Sequence, residues 1–148
     1  MTTTLLLIHA TATLAMCGVI WIVQRVHYPL MTYADASRFG EFERAHQRRI
    51  GSVVLPLMVI EAASAALILA LGVAHVALST AGIAILVVLW LSTFLVQVPL
   101  HRRLEQGLSP STIAQLVRTN WIRTILWTVR GGLALMMLAA QSASPVPP

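Results

Sequence analysis

His27, His46 and His101, together with Glu61, are the side chains of this 148-residue chain best suited to chemistry. Three imidazoles and a carboxylate suffice to hold an iron, copper or zinc ion, and paired histidines hold haem in helical bundles. A metal-free site could use the same set: Arg123 and Arg130 would polarise a substrate oxygen while His27 or His101 exchanged a proton. The candidate catalytic residues are therefore His27, His101, Arg123, Arg130 and Glu61, and the candidate metal ligands are His27, His46 and His101. The metal reading needs these residues to meet in the tertiary structure, so the cofactor stays open between a metal ion, haem and none. All ten basic residues are arginine, which excludes Schiff-base and lysine-nucleophile chemistry. The single cysteine, Cys17, has no intrachain partner and sits in an apolar run, where packing is its expected role.

Spacing organises these residues further. Asn120, Arg123, Trp127 and Arg130 follow i, i+3, i+7, i+10 and form one helical stripe. Trp90, Phe94, Gln97 and His101 form a second stripe, with Pro99 bending its end. Gln24 and His27 lie one turn apart before Tyr28-Pro29, and His46 stands on one face above Glu61. The polar set thus converges on one end of the molecule, and Gln24, Gln97, Asn120, Trp127 and Trp90 are the candidate substrate-binding residues. His9 and His75 are expected to make incidental polar contacts outside it.

What must position these side chains is a set of long apolar segments. Hydrophobic residues make up 57% of the chain and charged residues only 10%, against about 25% charged in a soluble domain. Four runs, at about 5–26, 50–73, 81–98 and 121–140, each approach the ~20 residues that a helix needs to cross hydrocarbon. The first lacks the basic residues that precede a cleavable signal and is expected to be retained. The expected fold is all-α: a single domain built as a four-transmembrane-helix bundle. Two helix-start signals, Asp35 and Ser109-Pro110, predict short helices before spans two and four. The tail, 142–148, is rich in Pro and Ser and expected to be disordered.

Arginines orient the bundle. Arg25, Arg38, Arg44, Arg48 and Arg49 lie between the first two runs, and Arg102, Arg103 and Arg118 between the last two. The positive-inside rule places both loops in the cytoplasm and both termini outside the inner membrane of a bacterial cell. With no soluble basic domain to hold the arginines, nucleic acid is excluded as a partner. Membrane lipid and a lipophilic small-molecule substrate are the expected partners, with a homo-oligomer left open. Glu61 and Arg130 lie ~16 Å and ~14 Å into their spans at 1.5 Å per residue. Charge at that depth is costly, so the two are expected to pair. A shift of 74 residues aligns His27 with His101 and Arg44 with Arg118, suggesting two duplicated helical hairpins.

The motifs Trp21-Ile22-Val23-Gln24-x-x-His27-Tyr28-Pro29, Gln97-Val98-Pro99-Leu100-His101 and Asn120-Trp121-Ile122-Arg123-Thr124-x-x-Trp127-x-x-Arg130 resemble a group of uncharacterised bacterial four-helix membrane proteins. The layout is also similar to the anthrone-oxygenase-like small membrane proteins and the four-helix haem-containing protoporphyrinogen oxidases. Those resemblances imply redox work on hydrophobic, ring-shaped molecules, hence an oxidoreductase. From the residues, the expected function is redox or acid/base chemistry on a lipophilic small molecule at a His/Glu/Arg site, with or without a metal or haem. The alternative is a non-enzymatic binding or transport protein.

Overall fold

The computed structural model describes residues 1–142 and is helical almost throughout. Five α-helices carry the fold: α1 (Thr2–Ile22), α2 (Phe39–Ala70), α3 (Val76–Ser92), α4 (Val98–Leu104) and α5 (Pro110–Ser142). With the short turns that extend them, they make four helical rods, Thr2–Tyr33, Ala36–Ala70, Val76–Leu104 and Pro110–Ser142, each long and apolar enough to cross a membrane. The expected disordered tail falls on 143–148, outside the described residues, except for Ser142, which ends α5.

α1 packs against α2 and α5, and the α3–α4 rod packs against α5 and α2. Consecutive rods run antiparallel, so they close into an up-down-up-down bundle. Its outward faces are apolar: Ile22, Leu55, Leu95 and Ile125 are all more than half exposed. Exposed apolar side chains in such number mark surfaces that meet a membrane or another protein. A helix is the conformation that lets such surfaces shed water, because every backbone group away from the ends is paired inside the segment.

Each joint has a local cause. Asp35 caps the turn leading into α2 by accepting from the Ser37 amide at 2.8 Å and the Ser37 hydroxyl at 2.7 Å, and these bonds hold its carboxyl below its ordinary pKa. Ser109 accepts from the Thr112 amide at 3.3 Å at the start of α5. Both signals open helices that run directly into the long rods, Asp35 through a 3-10 turn at Ala36–Arg38 and Ser109-Pro110 straight into α5. α2 and α5 run unbroken for 32 and 33 residues, so the arginine-bearing segments before the apolar runs are the first turns of the long rods. α2 ends at Gly72, whose φ of +62° suits the residue that lets a helix terminate with its last carbonyls satisfied. His75 then caps α3, accepting from the Ala77 amide at 3.3 Å, which starts that rod several residues earlier than the apolar run suggested.

Two π-helical segments, Val23–His27 and Thr93–Gln97, interrupt the first and third rods. Pro29 and Pro99 follow closely. A proline lacks an N–H and its ring displaces the carbonyl four residues back, here Arg25 and Leu95, both within the widened turns. The backbone therefore repeats a π segment and its proline at an offset of 70 residues, from Val23 to Thr93, and not at the 74-residue shift read in the sequence. Each π turn also presents a buried glutamine, Gln24 or Gln97, to the interior.

Candidate functional site

The polar residues do not gather at one site. They occupy three levels along the bundle, and an apolar layer divides the second from the third.

The first level lies at the arginine-rich end. His101, on α4, holds its Nδ1 2.5 Å from a carboxylate oxygen of Glu43 on α2, and its Nε2 2.9 Å from the hydroxyl of Tyr28. Glu43 is fully buried, Tyr28 nearly so. A carboxylate accepts, so Nδ1 donates to Glu43, and in the neutral imidazole Nε2 is then left to accept the tyrosine O–H. The result is a directed chain, Tyr28 to His101 to Glu43. Gln47 braces it by donating to Glu43 at 3.2 Å and to Glu105 at 2.8 Å. His46 stacks on His27 with ring centroids 4.2 Å apart and lies 5.5 Å from the His101 ring.

The second level is a network on α5. Asn120 donates to Gln24 at 2.9 Å and accepts from Arg123 at 3.0 Å. Gln24 donates to the Val117 carbonyl at 3.1 Å, and Gln97 donates to the Thr119 hydroxyl at 3.0 Å. Arg123 lies beside the Tyr28 hydroxyl, which joins this level to the first. A cavity of about 200 Å³ opens where they meet, with Tyr28, His101, Gln97, Arg123 and Gln47 among its walls. Arg123 Nε and Gln97 Oε1 are buried without a partner among the described residues. Buried polar atoms are paired as a rule, so these two are exceptions on side chains that line the cavity.

Below this cavity Met16, Ile20, Met58, Leu89 and Trp127 form an apolar layer. Beyond it lies the third level, where Arg130 donates to Glu61 and to the Gly82 carbonyl. The pairing expected from depth alone is present, and both side chains are shut away from the surface. His9 stands alongside, 2.9 Å from the Ser64 hydroxyl. Ser64 itself donates to the Glu61 carbonyl at 2.9 Å, so it must accept from His9 Nδ1. His9 is thus part of a built polar cluster in the half of the bundle that the sequence reading left to apolar packing.

Of the α5 stripe, Asn120, Arg123, Trp127 and Arg130 are all buried, though in different levels. The second stripe is broken. The π turn adds a residue to the helix and rotates what precedes it, so Gln97 and His101 face the interior while Phe94 is 51% exposed. Trp90 lines a separate groove with Phe94, Leu91 and Ala62 and is not among the walls of the 200 Å³ cavity. His46 shares a helix with Glu61 but lies ~22 Å from it at 1.5 Å per residue, in a different level. As metal ligands, His27, His46 and His101 come together by stacking, and both nitrogens of His101 are engaged. Among the described residues no group of three or more His, Cys, Asp or Glu side chains is arranged to hold a metal ion.

Glu43 and Tyr28 are the residues that sequence reasoning passed over. Glu43 lies among the loop arginines Arg38, Arg44, Arg48 and Arg49, where a carboxylate suggests no more than charge balance. Its signal was the spacing Glu43-x-x-His46 and Glu43-x-x-x-Gln47, which puts all three on one helical face.

The fold and site define an all-helical protein of four long apolar rods with a buried Tyr–His–Glu chain beside a small cavity at its basic end. Comparison with family models, with curated proteins and with solved structures finds no match.

Proposed function

We propose that this chain is a multipass protein of the bacterial inner membrane, with its arginine-rich end in the cytoplasm, that performs acid/base chemistry on a lipophilic small molecule. The observation that carries this reading is the Tyr28–His101–Glu43 chain on the wall of a cavity that also offers the Arg123 guanidinium. A substrate hydroxyl would give its proton to the Tyr28 oxygen as Tyr28 passes its own to Nε2 of His101. The substrate oxygen is then left anionic beside Arg123, and Glu43 stabilises the imidazolium. The reverse sequence returns a proton to an anionic substrate oxygen, such as an enolate or phenolate. Gln97 and Asn120 orient the substrate and Arg123 respectively. Since the histidines stack and do not converge, no step is routed through a metal or haem.

The test begins with the lipophilic molecules that co-purify with detergent-extracted protein, identified by mass spectrometry and offered back to the purified chain. Conversion should occur with wild type and fall about 100-fold or more in Tyr28→Phe and His101→Gln, the scale of a positioned general acid/base. Binding without conversion by wild type refutes catalysis.

That outcome would favour a second reading, binding or transport without chemistry. The observation on its side is the Glu61–Arg130–His9 cluster beyond the apolar layer, which gives a polar stopping place in the far half. Transport predicts liposomal flux that Glu61→Gln abolishes.

A further inference from the structure

Beside the cavity, behind a shared wall, lies an outward groove that the chemistry above does not use. Between α1 and α2 a groove of about 530 Å³ is walled by Val19, Ile22, Val23, Ile50 and Val53 and faces the exposed side of the bundle. Val19, Val23 and Ile50 line the inner cavity as well, so these three side chains separate the two spaces. The groove is apolar along its length and polar only at the basic end, where His27, His46 and Arg49 close it. Nε2 of both histidines is buried without a partner among the described residues. Across the ridge of Phe42 and Ala45 lies an open bowl that contains Arg38, Arg44 and Arg48. Its two carboxylates are already occupied: Asp35 by Ser37, and Glu41 by Arg38 at 3.1 Å. Arg44, Arg48 and Arg49 are exposed and make no ion pair among the described residues.

We infer that this groove binds an anionic membrane lipid, with an acyl chain along Val19, Ile22 and Val53 and its phosphate head at Arg49. The groove's two ends differ in the way such a molecule does. An apolar wall exposed to the bilayer accepts a chain without displacing ordered water, and the arginine fork is the side chain best matched to phosphate. His27 and His46 supply further polar contacts at the head, and Arg44 and Arg48 add positive potential over the ridge. The lipid then sits against the Val19–Val23–Ile50 wall, one side chain away from Tyr28 and His101. This rests on the reading of the chain as membrane-embedded with an acid/base cavity, and it names the class of amphiphile that reaches that cavity from the side.

The experiment is native mass spectrometry of the full chain in micelles, titrated with phosphatidylglycerol, with phosphatidylcholine of the same chains, and with inorganic phosphate. Phosphatidylglycerol should be retained in preference to phosphatidylcholine, and inorganic phosphate should bind negligibly. Arg49→Gln should weaken phosphatidylglycerol binding roughly tenfold, the scale of one lost charge-assisted contact. Val53→Trp, which fills the groove from its exposed side, should weaken both lipids. Tyr28→Phe should bind as wild type, so the lipid measurement is independent of whether any conversion is seen. Equal retention of the two lipids overturns head-group recognition. Wild-type binding by both Arg49→Gln and Val53→Trp overturns the groove. Phosphate competing as well as the lipid would make the site one for a soluble anion and overturn the lipid assignment.

Discussion

Removing the charge of Glu61 should destabilise the bundle more than any surface change of equal size. Arg130 is 2% exposed and Glu61 is fully buried, and the guanidinium divides its donors between the Glu61 carboxylate and the Gly82 carbonyl. In Glu61→Gln the amide oxygen keeps the shape and one acceptor but leaves a buried cation unneutralised. Breaking one side of a buried pair costs about 3–5 kcal/mol, and the retained acceptors argue for the lower part of that range. Arg130→Leu strands the carboxylate, and the second Glu61 oxygen already lacks a partner among the described residues; a loss of about 3–5 kcal/mol is expected here too. Combining the substitutions removes both charges and leaves one unpaired buried amide, costing about 1–3 kcal/mol. The double variant should therefore be less impaired than the sum of the singles, with a coupling of at least about 3 kcal/mol. Reversible unfolding in mixed micelles of rising SDS content, followed by fluorescence of the four tryptophans, measures all four corners of the cycle. A coupling below about 0.5 kcal/mol would refute the claim that the two charges are held by one another.

Other expectations follow from single contacts. Gly40→Ala would place a Cβ 2.6 Å from the Glu105 backbone oxygen, so it should force α2 away from the α4–α5 link and cost about 1–3 kcal/mol in the same assay. Asn120→Ala removes the partner of both Gln24 and Arg123 and should cost about 1–3 kcal/mol, against little for the exposed neighbour Ile122→Ala. Cysteine introduced at Arg38 or Arg102, in a Cys17→Ser background, should react with impermeant maleimide only from the cytoplasmic side; labelling of intact cells would invert the proposed orientation.

Much of the architecture was legible from composition because helix length and apolarity are local properties. The four runs near 5–26, 50–73, 81–98 and 121–140 became the four rods, and Asp35 and Ser109-Pro110 mark real helix starts. Depth arithmetic also matched Glu61 with Arg130, because the second and fourth rods start from the same end of the bundle and equal rise brings the two residues to a similar height. The ends of the elements were less legible. The caps at Asp35 and Ser109 already implied helices running on into the second and fourth rods, but nothing in a hydropathy pattern announced that His75 would begin α3 ahead of its apolar run.

The candidate site divided along the same line. By itself the sequence determined which side chains are too polar for their surroundings, and the regular stripe on α5 determined that Asn120, Arg123, Trp127 and Arg130 all turn inward. Only the tertiary structure decided how they group. The π turn before Pro99 turned Phe94 outward and left Trp90 only half-buried beside a separate groove, while Gln97 and His101 stayed inside, a phase change that a fixed 3.6-residue period cannot express. Packing of α2 against α4 brought Glu43 to His101 across 58 positions of sequence, so a carboxylate that read as a loop counter-charge became the anchor of a buried proton chain. The layer of Met16, Ile20, Met58, Leu89 and Trp127 then split one apparent cluster into separate levels, because residues that share a polar character need not share a height.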